Sequence, residues 1–186
     1  MYNKKAYTEC SLEVISITPD VLVSGSINDE LEKRIRKIIK EESPIQKPLL
    51  LKRLINSLSL YKVGSEMEKF FSSYLPTLNL DETTENGITV YHDPSESLDS
   101  YRFSDSSLRY SYQIPLCEAA LVIAELLSRT ESTYSKKYLL DLFSKELEYQ
   151  KKGSQVVALF EASLAYAVSN NMVTMTKNYR YKTNKI

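Results

Sequence analysis

Apolar residues recur along this chain at two periods, and together they outline helices closed by short strands. Leu31, Ile35, Ile38 and Ile39 fall at i, i+4, i+7 and i+8, one face of a helix that Asn28 can cap. Glu41-Glu42-Ser43-Pro44 ends it, because a residue before proline is pushed out of helical geometry. Leu51, Leu54, Ile55 and Leu58 predict a second helix over 48–59, with Pro48 in its first turn. Ser65 and Glu68 form a capping-box pattern for a third, whose inner face is Met67, Phe70, Phe71, Tyr74 and Leu75. Asn86-Gly87 then signals a hairpin turn before a strand over 88–91.

The same order returns further along. Pro115 opens a helix to residue 127, with Leu116, Ala120, Ile123, Ala124 and Leu127 inward. Helices over 136–147 and from Gly153-Ser154 to 170 follow, then strands over 172–175 and 179–181. An offset of 89 residues superimposes Leu51 on Leu140, Leu54 on Phe143, Leu58 on Leu147, Met67 on Val156, Phe71 on Phe160 and Leu75 on Leu164. It also places Gly64-Ser65 on Gly153-Ser154, two of only four glycines in the chain. These four residues are read as structural turns, glycine taking a left-handed conformation and serine capping the next helix. A repeat at fixed offset is one supersecondary unit used twice.

The expected fold is therefore mainly α with short β-hairpins, a tandem winged-helix-like (helix-turn-helix) repeat. Residues 1–28 form a β-like segment, with strands expected over 12–17 and 21–23 on β-branched content. The first copy covers 29–92 and the second 114–186. Between them lies 93–113, which holds seven serines and is read as a surface linker pinned by Tyr101, Phe103 and Leu108.

Composition changes this picture little. The chain has 186 residues, 42% of them hydrophobic, with zero formal net charge, so no global attraction to nucleic acid or anionic membrane follows. Cys10 and Cys117 are isolated, which excludes a CxxC zinc pattern and fits a reducing, cytoplasmic setting. Neither a membrane-spanning run nor a secretory signal core is present in the sequence.

Catalytic chemistry finds few candidates. His92 is the single histidine, no phosphate-binding glycine loop occurs, and the paired acids Glu41-Glu42 and Asp81-Glu82 sit in polar helix-end and loop contexts. No enzyme activity and no cofactor are expected. Local charge is more telling: residues 31–62 carry nine bases and three acids, whereas 63–113 carry three bases and nine acids. The tail holds Lys177, Arg180, Lys182 and Lys185 without an acid, interleaved with Tyr179 and Tyr181. Lys62, Lys151, Lys152, Gln155, Lys177, Arg180 and Lys182 are the candidate nucleic-acid contacts. The third helix exposes Glu66, Glu68 and Lys69 in the first copy and Gln155, Ala158 and Glu161 in the second. Carboxylates repel phosphates, and Lys151, Lys152, Gln155 and the basic tail make the second copy the better DNA candidate. A solvated basic terminus explains the tail equally well.

The run Glu42-Ser43-Pro44-Ile45, the helix around Leu49 to Leu60 and the turn Lys62-Val63-Gly64-Ser65 resemble one family. So does a later segment with Arg102, Arg109, Ile114-Pro115, Glu118 and Ala119. The family is the domain of unknown function at the C-terminal end of large bacterial superfamily I DNA helicases of the AAA-type ATPase group. The resemblance spans residues 30–170 and implies a helicase-associated accessory module that docks double-stranded DNA beside a helicase or nuclease motor, in the same chain or another. The helicase motifs themselves are absent, and Lys62 stands where a bidentate arginine-like residue is usual. The alternative is a protein–protein scaffold whose winged helices bind a partner or a second copy without touching nucleic acid.

Overall fold

The structure is a computed structural model and describes residues 2–103 and 109–184. Leu108 and Lys185, expected in the linker and the basic tail, lie outside the described residues. In chain order the elements are β1 (Asn3–Ala6), α1 (Pro19–Val23), α2 (Asn28–Glu42), β2 (Ile45–Gln46), α3 (Lys47–Ser57), α4 (Ser65–Tyr74), β3 (Asp81–Glu85) and β4 (Ile88–His92). Then come β5 (Ser100–Phe103), α5 (Leu116–Ser128), β6 (Tyr134–Ser135), α6 (Lys136–Glu146), α7 (Ser154–Ser169), β7 (Val173–Met175) and β8 (Arg180–Thr183). Helices dominate, and the sheets are small, of two or three strands each.

The chain divides into two compact units, Thr8–Glu96 and Met1–Tyr7 together with Ser97–Ile186. In Thr8–Glu96, the stripe of α2 (Leu31, Ile35, Ile38, Ile39) packs with Leu50, Leu54 and Leu58 and with Met67 and Phe71 of α4. Removing these aliphatic and aromatic surfaces from water is the main drive for the fold. A three-stranded sheet of order β2-β4-β3 closes the unit, and its turn places Asn86 and Gly87 at φ 48° and 78°. Both positions need left-handed backbone, which Asn and Gly adopt cheaply.

In the other unit α5 is apolar on nearly every side and is buried from Cys117 to Leu127. Leu139, Phe143, Leu147, Leu159, Phe160 and Leu164 surround it. The closing sheet has order β6-β8-β7, and β1 pairs in parallel with β5, Lys4 opposite Tyr101. The bounds of β2 and α3 recur 89 residues later in β6 and α6, and α4 and α7 start at the same offset. Leu54 and Phe143, the pair matched by that offset, are both fully buried.

Several expectations change. Where strands were expected over 12–17 and 21–23, the first stretch is not a strand and the second belongs to helix α1. Thr18 Oγ1 accepts the Val21 N–H at 3.4 Å and Pro19 begins the helix, which carries Leu22 into the core. Ile15 and Ile17 instead donate their N–H groups to the Ser57 and Leu58 carbonyls, so tertiary bonding overrides β-propensity there. The 93–113 stretch contains β5, with Tyr101 fully buried, and a 3-10 turn at Ser111–Gln113.

The glycine turns also differ from expectation. Gly64 and Gly153 have φ of −91° and −69°, both extended, and occupy the N-cap positions of α4 and α7. No side-chain cap bond forms, so Ser65 and Glu68 make no capping box, and Ser154 likewise lies inside its helix. In the connections from α3 to α4 and from α6 to α7 the left-handed residues are instead Ser59 (φ 56°) and Glu148 (φ 63°), again 89 residues apart. Each is followed by a 2.9 Å bond back across the helix end, Leu60 N–H to Ile55 O and Tyr149 N–H to Ser144 O. That is the Schellman pattern, here without its usual glycine.

Candidate nucleic-acid interface

The basic hairpin belongs to the unit that contains α5. Its strand β8 is central in the sheet, paired with β6 through Tyr134–Tyr181 and Ser135–Arg180 and with β7 through Thr174–Lys182 and Met175–Tyr181. Strand periodicity then sorts the side chains. Tyr134 and Tyr181 pack against the core, leaving Arg180 and Lys182 together on the exposed face. Thr174 and Thr176, nearby on the hairpin, add hydroxyl groups.

Arg180 is held in place: its Nε donates to Thr133 Oγ1 at 2.7 Å, fastening the hairpin to the segment before α6. Lys182 and Lys177 are exposed and have no ion pair among the described residues. Ser135 caps α6 by accepting the Tyr138 N–H at 3.3 Å, and the first turn of that helix carries Lys136, Lys137 and Tyr138 with no acid. Lys136 Nζ pairs with Glu161 at 2.7 Å.

The start of α7 carries the other candidates. Lys151, Lys152, Gln155 and Ala158 are exposed, but Lys152 is ion-paired to Asp141. Between Ser154 and Ser169 the helix has no Lys or Arg at all. Ser154 and Gln155 are thus its exposed residues with base-reading capacity near the N-terminus. The only charged side chain on the exposed face of this helix is Glu161, which is ion-paired to Lys136.

Lys62 lies exposed in the other unit, Thr8–Glu96, beside the fully exposed Tyr61. There the hairpin strand β3 reads Asp81-Glu82-Thr83-Thr84-Glu85, and α4 opens with Glu66 and Glu68 exposed. Its electrostatic character is the reverse of the α5 unit's. His92 Nε2 sits 2.8 Å from Thr83 Oγ1 and lines a cleft of about 330 Å³ with Arg36, Lys40, Asp81 and Asp93. The N–H and hydroxyl of Ser95 hold the Asp93 carboxyl below the usual carboxylate range, so it remains an anion. Neither cysteine lines the cleft. Among the described residues no cluster of His, Cys, Asp and Glu could hold a metal ion, and no helix is long and apolar enough to cross a membrane.

Residues that carried the family resemblance have structural employment. Glu118 is buried and accepts Arg102 Nη2 at 2.7 Å, Arg102 N at 2.8 Å and Arg109 Nη1 at 2.8 Å. The Tyr7 ring lies 4.3 Å from the Arg109 guanidinium carbon, so this cluster also anchors the N-terminal segment within its unit. Glu42 is buried and accepts the Cys10 N–H at 2.9 Å and Arg53 Nε at 3.3 Å. Sequence patterning cannot separate such buried charges from surface ones, because both look polar.

No family model, curated protein or solved structure matches the chain.

Proposed function

We propose that the chain is a non-catalytic tandem winged-helix module that docks double-stranded DNA through the α5 unit, beside a motor of the helicase or nuclease class. Each unit supplies a helix, a two-residue strand, two further helices and a hairpin, with the short strand paired to the last one. That order is the one a winged helix uses, and the hairpin is its wing. The observation carrying the DNA reading is the exposed Arg180–Lys182 face with Lys177 at the turn, in a hairpin free of acids. Wings of this charge lie along phosphates, which fixes register without reading sequence. The motor is suggested by the helicase-associated resemblance at Arg102, Arg109 and Glu118.

A second reading applies to Thr8–Glu96. Its acidic hairpin and the acidic opening of α4 favour a protein partner or a second copy of the chain over phosphates. In this scaffold reading nucleic acid is not engaged at all.

Mobility-shift titration of a duplex at two salt concentrations separates the readings. Lys151→Glu, Lys177→Glu and Lys182→Glu together are expected to weaken binding at least about tenfold and to reduce the slope of log K against log salt by about 2 to 3. Arg180 is left intact because it fastens the hairpin. Binding by the parent that ignores both salt and the triple change removes the DNA reading, and a salt-insensitive oligomer in light scattering supports the scaffold.

A further inference from the structure

The two hairpin turns are built from different materials. In Thr8–Glu96 the left-handed positions are filled by Asn86 and Gly87. In the other unit the turn Thr176-Lys177-Asn178-Tyr179 closes with Tyr179 N–H donating to Thr176 O at 3.0 Å and Thr176 N–H donating to Arg180 O at 2.7 Å. Tyr179 itself has φ 55°. A bulky residue there is strained, and Gly or Asn is the favoured occupant. The ring gains little packing in exchange, since Tyr179 is 77% exposed. Neither backbone preference nor the core explains a tyrosine at this tip, and strain of this kind clusters where a side chain must be presented.

Its neighbours indicate what it is presented to. Lys177 precedes it by two residues, and Arg180 and Lys182 follow on the exposed face. An aromatic plane between cations suits an uncovered nucleobase whose flanking phosphates the cations reach. Inside continuous duplex each base face is already covered by its neighbour. Only an end, a fork or a junction leaves one open.

We propose that Tyr179 is a base-stacking residue at the tip of the basic hairpin, and that the DNA this unit docks on carries an open duplex end or single-strand junction. This rests on the DNA-docking reading above and adds the class of DNA to it. Stacking tolerates any base, which agrees with the absence of Lys and Arg from α7.

The test compares a labelled forked duplex with a relaxed, covalently closed circle as competitor, using the full chain. The parent is expected to prefer the fork by about tenfold, a preference that Tyr179→Phe keeps and Tyr179→Gly abolishes. Tyr179→Gly is also expected to melt no lower than the parent, since glycine suits the left-handed position, so lost preference cannot be put down to unfolding. A 2-aminopurine at the fork is expected to change emission with the parent and not with Tyr179→Gly. Equal affinity of the parent for fork and circle, or a preference surviving in Tyr179→Gly, overturns the stacking role and leaves docking standing. Failure of the parent to bind either DNA overturns both.

Discussion

Arg109 Nη1 lies 2.8 Å from Glu118 Oε2, and both side chains are about 1% exposed. Arg102 closes on the same carboxylate from the β5 side, so one buried anion is shared by two guanidiniums. Replacing Glu118 by Gln or Ala strands two cations in the interior. Breaking such a buried arrangement typically costs about 3–5 kcal/mol. Urea unfolding is expected to show that loss for Glu118→Gln, against less than about 1 kcal/mol for Glu161→Gln at the exposed Lys136 pair.

The same site predicts an acid response. Burial alone raises the Glu118 carboxyl, but the Arg102 and Arg109 charges and their hydrogen bonds outweigh it and hold it down at about 2. The folded value lies below the unfolded one near 4.5, so the stabilisation is complete above the unfolded value and drains away as pH falls towards 2. Urea midpoints measured from pH 7 to pH 3 are expected to decline below about pH 4.5 in the parent. Glu118→Gln lowers stability at neutral pH and flattens the portion of the decline that Glu118 causes. An unchanged decline in that variant assigns the acid sensitivity to other carboxylates.

Turn chemistry is imperfect in both units at matched positions. Ser59→Gly and Glu148→Gly relieve left-handed strain at helix ends whose Schellman bonds already exist. Ser59→Gly is expected to stabilise the chain by about 1 kcal/mol, roughly 2–4 °C in Tm, and Glu148→Gly by less, because it also removes the ion pair with Lys4. Gly64→Ser and Gly153→Ser add the missing N-cap hydroxyl where a new Cβ meets nothing within 4 Å. About 0.5–1 kcal/mol of stabilisation is expected for each in thermal melts. A large destabilisation from either serine would mean that glycine is required there.

Matched core positions are expected to behave alike. Leu54→Ala and Phe143→Ala both remove a fully buried side chain from equivalent helices. Losses of about 2–5 and 3–5 kcal/mol respectively are expected in chemical denaturation. A loss below about 1 kcal/mol at either position would show that its unit does not use the shared packing pattern.

Much of the helical architecture was legible because amphipathic stripes carry the helix period. Leu31, Ile35 and Ile38 announce α2, and Asn86-Gly87 announces its hairpin, from local chemistry alone. The candidate interface was half legible. Basic residues in the tail could be counted, but not that Lys152 is neutralised by Asp141, that Arg180 is tied to Thr133, or that Tyr179 is strained. Each of these depends on a partner or a backbone angle that sequence spacing does not encode.

By itself the order of residues determined the longer helices from α2 onward, most of their inward faces and the 89-residue offset, since periodic burial and turn preference act over a few neighbours. Tertiary structure decided the rest. Strand β1, exposed throughout as Asn3-Lys4-Lys5-Ala6, exists because β5 offers it a backbone ladder, and residues 12–17 fail to form a strand because Ser57 and Leu58 take the Ile15 and Ile17 amides. Short strands and buried charges depend on partners brought together by folding, so only the folded chain reveals them.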